Sequence, residues 1–273
     1  MLDTVGKVDA SVLAVIEELI DQCVLGSALA CETSLSTNSD ALSQLREQKF
    51  GDGMLPRLYF ADVQTGGRGR QGNHWVSPND ALTFSLVLAQ DSINEPTARL
   101  LSLAVGVATA RAIEFVYAPV KCRLKWPNDV YVAGGKVAGI LIETSQAFTD
   151  RIVIGIGVNV IESPTLESPD TTAMPQSLFA ATGRRLSRHE VLEVIIRELV
   201  AVCEERLEAP QSILHQFRER CMLTGNQISF LESGRESQGL CRGISDNGSL
   251  MIQTPAGLRY CDSGAIRLVR LRG

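Results

Sequence analysis

Apolar residues recur at helical spacing over residues 8–23 and the pattern stops near Gly26. A second helical stretch covers 40–48. The period then shortens: LYFADV (58–63) and LTFSLVLA (82–89) read as strands, with a glycine-rich loop between them. Residues 95–116 carry a long alanine-rich apolar pattern, opened by Pro96, whose fixed φ suits a first helical turn, and predict a buried helix. VYVAGGKVAGILIE (130–143) reads as two strands around a Gly134-Gly135 turn, and RIVIGIGVNV (151–160) as a third. Strands joined by tight turns run antiparallel, so the expected fold class is α+β, a mixed, largely antiparallel sheet flanked by helices.

Ser187 with Glu190 three positions on forms a capping box, and the helix it opens extends to about Glu208, closing the main domain. Beyond about Cys221 the chain breaks into short β-like pieces, QISFLE, QGLCRGI, SLMIQT, LRYCD and AIRLVRL, separated by SGRE, SDNG and TPAG. These predict a small β-barrel. The expected division is a catalytic domain over 1–221 and a small domain over 222–273.

Composition narrows the functional classes. At 273 residues and 45% hydrophobic, the chain can bury one substantial core with room for a small second domain. Its 26 Lys+Arg against 31 Asp+Glu give a net charge of -5, so the overall balance points to neither nucleic acid nor anionic membrane, and any basic chemistry must be local. The seven cysteines are dispersed without a C-x-x-C, which argues against a disulfide framework or structural zinc and fits a reducing, cytoplasmic setting. No run of about 18 apolar residues occurs. His74, His189 and His215 form no ligand cluster in the sequence.

The candidate chemistry begins at GGRGRQGNHW (66–75), where Gly67, Gly69 and Gly72 match G-x-G-x-x-G. A dinucleotide-binding turn requires a helix directly after the glycines; here NHWVSPND, with a turn at Pro78-Asn79, leads into a strand, so that reading fails. The glycines allow close backbone approach, and Arg68 and Arg70 offer permanently charged forks for phosphate or carboxylate. An exposed hairpin loop with two solvated arginines describes this stretch alone equally well. KWPNDV (125–130) adds Lys125, Trp126 and an Asn-Asp pair, and Lys136 follows a hairpin turn, where lysine is ordinarily a solvated charge. Trp75 reads as a loop anchor and Trp126 as a packing residue.

Together these segments resemble the biotin protein ligases. Ser36-Thr37-Asn38, Gln64, GRGRQGNHW (67–75), KWPND (125–129), GKVAGIL (135–141) and GIGVN (155–159) stand in that family's order, and RGISDNGSL (242–250) is similar to a segment of its SH3-like C-terminal domain. The resemblance implies a class II synthetase-like catalytic domain and a two-step reaction. Biotin and ATP give biotinyl-5′-adenylate and pyrophosphate; a lysine of a biotin carboxyl carrier domain then takes the acyl group. It implies Lys136, Arg70 and Lys125 as catalytic cations, with Lys136 on the biotin carboxylate and α-phosphate. Biotin would be bound by Ser36, Thr37, Asn38, Gln64, Arg68, Gly69, Arg70, Lys136 and Gly139, with Arg68 and the loop backbone closing over it. ATP would meet Arg70, Lys125, Asn128, Asp129, Lys136 and Asn159, with Asn159 at the adenine edge. Asp129 would either bind Mg²⁺ or orient Lys125.

The loop carries Gln71, Asn73 and His74 where many members have more basic residues, and Ser245 replaces a usual aspartate. With Ser36 so near the start, the expectation is a ligase without a helix-turn-helix domain, binding neither nucleic acid nor membrane, and able to form a homodimer. Two alternatives stay open: a lipoate-type ligase on the same fold, and a non-catalytic binder of biotin or its adenylate.

Overall fold

The computed structural model describes residues 1–49, 51–78, 80–89, 95–145, 148–165, 174–232, 235–262 and 266–268. The chain opens with β1 (Leu2–Val5), α1 (Ala10–Asp21), β2 (Ser27–Ser34) and α2 (Thr37–Arg46). β3 (Arg57–Gln64) leads to the two-residue strands β4 (Gly67–Arg68) and β5 (His74–Trp75), then β6 (Leu82–Ala89) and α3 (Glu95–Val116). β7 (Arg123–Lys125), β8 (Asp129–Val132), β9 (Gly135–Ser145) and β10 (Phe148–Val158) follow. α4 (Leu178–Thr182), α5 (Arg188–Glu208) and α6 (Pro210–Arg220) precede β11 (Gln227–Glu232), β12 (Arg235–Ile244), β13 (Leu250–Thr254), β14 (Gly257–Cys261) and β15 (Ile266–Leu268).

Eight strands form one mixed sheet in the order β1-β2-β3-β6-β10-β9-β8-β7. The β1-β2 and β2-β3 pairs are parallel and the rest antiparallel. β1 and β2 were not legible as strands, and α2 starts at Thr37 rather than Asp40, so the Ser-Thr-Asn segment opens a helix. At the predicted hairpin, Ala133 (φ 49°) and Gly134 (φ 84°) are both left-handed, as a two-residue turn between twisted strands requires. The capping box of α5 forms: the Glu190 carboxylate accepts from the Ser187 backbone N–H at 2.8 Å. α5 does not close the main domain, since α6 follows it across Ala209.

Alternation along the strands separates two faces. Leu58 and Phe60, Leu82, Phe84 and Leu86, Ala138 and Ile140, and Ile152, Ile154 and Ile156 join α1, α3 and α5 in one continuous core. On the other face Tyr59, Val87 and Val153 pack under Ala41, Leu42 and Leu45 of α2. Many other positions of that second face are small or polar: Thr83 and Ser85 on β6, Gly155 and Gly157 on β10, Gly139 on β9. These small residues leave room on the sheet, and the site is built on that ground.

The five predicted β pieces near the C-terminus coincide with β11–β15, an antiparallel sheet in the order β14-β13-β12-β11-β15; part of SGRE and of AIRLVRL, like Asn79, lies outside the described residues. Ile228, Phe230, Ile244, Leu250, Ile252 and Ile266 join the main core. The buried Trp126 indole N–H donates to the Gly248 carbonyl at 3.0 Å, and Arg218 donates to the Ile244 carbonyl at 2.9 Å and to Asp246 at 2.7 Å.

Candidate active site

The glycine loop folds back as a miniature hairpin: Gly67 pairs with Trp75 and Arg68 with His74. Gly69 N–H donates to the Asn73 carbonyl at 2.7 Å. The bend passes through Gln71 (φ 56°) and Gly72 (φ 76°), left-handed positions of which the second is free for glycine. Beneath the loop lies a cleft of about 530 Å³. Every site residue singled out in the sequence lines it: Ser36, Thr37, Asn38, Gln64, Arg68, Gly69, Arg70, Lys125, Asn128, Asp129, Lys136, Gly139 and Asn159.

One end holds small polar groups on apolar ground. Ser36 is buried at the N-cap of α2, and its hydroxyl makes no capping bond. Gln64 Oε1 accepts from Thr37 N–H at 3.0 Å. Ser85 Oγ lies 2.7 Å from Thr37 Oγ1 and 2.5 Å from Asn38 Oδ1. Asn38 lies directly over Gly155, where an added Cβ would come within 2.2 Å of its Oδ1. Hydroxyls and amides in this setting suit an uncharged ligand with a few hydrogen-bonding atoms.

The middle of the cleft is cationic. Lys136 Nζ sits 2.6 Å from Asp129 Oδ1, with side-chain exposures of only 23% and 15%. This hairpin lysine is therefore a part-buried, paired cation rather than a solvated charge, and Asp129 is its partner. Lys125 stands across from Asp129 in the β7-β8 register. Burial pushes the Arg70 guanidinium below its ordinary pKa, opposed by Asp129 and Cys261, but an arginine keeps its charge near neutrality. Asn128 braces the neighbouring strand, its Nδ2 donating to the Ile140 carbonyl at 2.6 Å and its own carbonyl accepting Ile140 N–H at 3.0 Å.

At the far end Asn159 is 1% exposed. Its Nδ2 donates to the Gln176 carbonyl at 3.1 Å, and its Oδ1 is buried with no partner among the described residues. Residues 174–178 run beside Lys136: Lys136 N–H donates to Met174 O at 2.8 Å and Gln176 N–H to Lys136 O at 2.9 Å. The Trp75 ring lies on the sheet, where a Cβ at Gly157 would come within 2.2 Å of it and one at Gly139 within 3.0 Å. Lys136 Nζ is 5.8 Å from the ring centroid. Trp75 therefore anchors the loop and also walls the cleft.

Sequence reasoning missed several contributors. Pro164 and Pro175 line the cleft from a segment without a recognisable pattern, Gln176 of that segment holds Asn159, and Ile266 comes from the C-terminal sheet. Glu143 ends the site face of β9 and accepts from both Arg68 (2.7 Å) and Asn38 (2.8 Å).

Residues 36–159, the span that supplies this geometry, match the model of the biotin/lipoate A/B protein ligase family. The chain is 32% identical to the biotin–[acetyl-CoA-carboxylase] ligase of Mycobacterium tuberculosis over 80% of its own length and 79% of that protein. It is also 32% identical to the corresponding ligase of Paracoccus denitrificans, over 81% of this chain and 92% of the relative. The chain belongs to the biotin protein ligase family. Among solved structures, the biotin protein ligase of Aquifex aeolicus in complex with biotin and ATP superimposes with a TM-score of 0.73 at 27% identity, over 89% of this chain and 99% of that one. The α+β fold of a biotin protein ligase thus extends over nearly the whole chain.

Proposed function

We propose that the cleft condenses biotin with ATP to biotinyl-5′-adenylate and pyrophosphate, and that the acyl group then passes to a lysine of a carboxylase's biotin carboxyl carrier domain. The observation that carries this reading is the arrangement of one cleft: Arg70, Lys125 and Lys136 between a small polar end and the half-satisfied Asn159 amide. A carboxylate attacking a polyphosphate meets like-charge repulsion, and cations fixed beforehand in a partly buried site offset it without reorganising during the reaction.

In this reading Ser36, Thr37, Asn38 and Gln64 hold the ureido group of biotin. Lys136, swung over Gly139, bridges the biotin carboxylate and the α-phosphate, while Arg70 and Lys125 take the remaining phosphate charge. Because Asn159 Nδ2 is committed to Gln176, its Oδ1, unpartnered among the described residues, is left as the acceptor that would meet the amino group of adenine. The same proposal assigns 1–221 to catalysis and lets 222–273 lend a wall through Ile266.

Mg²⁺ enters with ATP. Among the described residues no group of three His, Cys, Asp or Glu side chains stands ready for a metal, so the ion would be held by Asp129 and the phosphates, a donor set that fits its habit of keeping few protein ligands. It would neutralise phosphate charge.

Exchange of labelled pyrophosphate into ATP tests the first step. Exchange that depends on biotin supports the proposal; exchange that depends on lipoate alone would assign the other branch of the family.

A further inference from the structure

Glu143 lies outside the motifs that mark the site, yet one of its oxygens joins the lid to the floor. Strand parity places it on the site face with Gly139 and Leu141. Its Oε2 accepts from Asn38 Nδ2 at 2.8 Å, beneath the cleft, and from Arg68 Nη2 at 2.7 Å, on the loop hairpin. Asn38 is in turn fixed by Ser85 at its Oδ1. The carboxylate therefore rests on a braced group below and reaches the loop hairpin above.

The contact separates two arginines that look equivalent in sequence. Arg68, with 42% of its side chain exposed, is neutralised by Glu143, which is 22% exposed. Among the described residues this is the single ion pair that any residue of 67–75 makes. Arg70 has no ion pair among the described residues and, like Arg68, lines the cleft. Arg70 is thus available to an anionic ligand, whereas the charge of Arg68 is already committed.

We propose that Glu143 is a positioning residue: acting through Arg68, it latches the glycine loop over the cleft and sets how long the adenylate stays enclosed before the carrier lysine takes it. The proposal rests on the adenylating function inferred above. An acyl adenylate hydrolyses once water reaches it, so a lid need not touch the reacting atoms to control the yield. A part-exposed pair is also screened by salt, which makes the latch sensitive to ionic strength.

The test uses E143Q, which removes the charge while leaving an amide oxygen for Asn38, together with R68M and the double variant. Two readouts are taken: hydrogen exchange of residues 66–75 without ligand, and release of free biotinyl-5′-adenylate measured by mass spectrometry with pyrophosphate exchange as reference. In E143Q the loop exchanges faster, and adenylate release rises about threefold to fivefold relative to pyrophosphate exchange. R68M does the same, the double variant goes no further than either single one, and the salt dependence of release seen in the parent disappears. Unchanged loop exchange, additive effects in the double variant, or salt dependence persisting in E143Q would overturn the latch. If the parent forms no adenylate while loop exchange still rises in E143Q, the adenylating function fails and the latch stands as a lid contact.

Discussion

Lys136 Nζ rests 2.6 Å from Asp129 Oδ1, two residues brought together across the β8-β9 hairpin. Gly139, the register partner of Asp129, leaves room beside the ammonium: a Cβ would be 3.3 Å from Nζ. Asp129 therefore holds the lysine at the cleft.

Lys136→Ala is expected to slow biotin-dependent adenylation by about 10²- to 10³-fold, the scale of losing one preorganised donor. Asp129→Asn keeps the cation but releases its aim, so the loss should be smaller. Single-turnover formation of biotinyl-5′-adenylate distinguishes the two; a D129N defect equal to or larger than that of K136A would show that Asp129 acts by itself.

Gly157→Ala places a methyl group in the volume of the Trp75 ring. Overpacking of this kind costs roughly 1–3 kcal/mol, and the loop can relieve it by lifting Trp75 from the sheet. The expected result is an ATP KM raised about tenfold with the thermal midpoint nearly unchanged, read from initial rates and a melting curve. A lowered midpoint with unaltered KM would mean that the strand, not the loop, absorbs the clash.

Much of this site was legible because its chemistry is local in sequence. The GRGRQGNHW, KWPND and GKVAGIL segments each carry their cations beside the glycines or turn that positions them. Strands β6, β9 and β10 were legible for the same reason, as runs of apolar residues interrupted on one parity by Gly, Ser or Thr. β2 was not: SALACETS is mostly small residues, and its strand conformation comes from pairing with its parallel neighbours β1 and β3. Glu143 was invisible because its partners Arg68 and Asn38 lie 75 and 105 residues away. The Asp129–Lys136 pair hid behind a hairpin register with a bulge between Val130 and Tyr131, which no spacing rule reveals.

Trp126 links the KWPND turn to the C-terminal sheet through its bond to Gly248 O. Trp126→Phe removes the donor but keeps most of the ring, and should destabilise the fold by about 1–3 kcal/mol, the cost of leaving a buried carbonyl unpaired. Urea denaturation checks this. A change below a few tenths of a kcal/mol would mean that the carbonyl finds another donor.

Glu205 on α5 receives both Arg111 Nη1 (2.8 Å) and Nη2 (3.1 Å) from α3, and these hydrogen bonds, with Ser212 and the Arg111 charge, hold its carboxyl below the ordinary value of 4.5. A folded pKa below the unfolded one contributes stability that is fully present above pH 4.5 and is lost as the pH falls through the folded value. Glu205→Gln should therefore lower stability at pH 7 and flatten its decline below pH 4.5, measured by urea unfolding across that range. An unchanged acid slope would show that the Arg111–Glu205 contact does not depress the carboxyl in the folded protein.

The most direct measurement is intact-mass analysis of a biotin carboxyl carrier domain incubated with this protein, ATP, Mg²⁺ and either biotin or lipoate. The account predicts that the carrier gains one biotin, only with ATP present, and that a carrier whose target lysine is replaced by arginine gains none. A carrier modified by lipoate alone, or left unmodified by both acids although biotin binds the cleft, would contradict it.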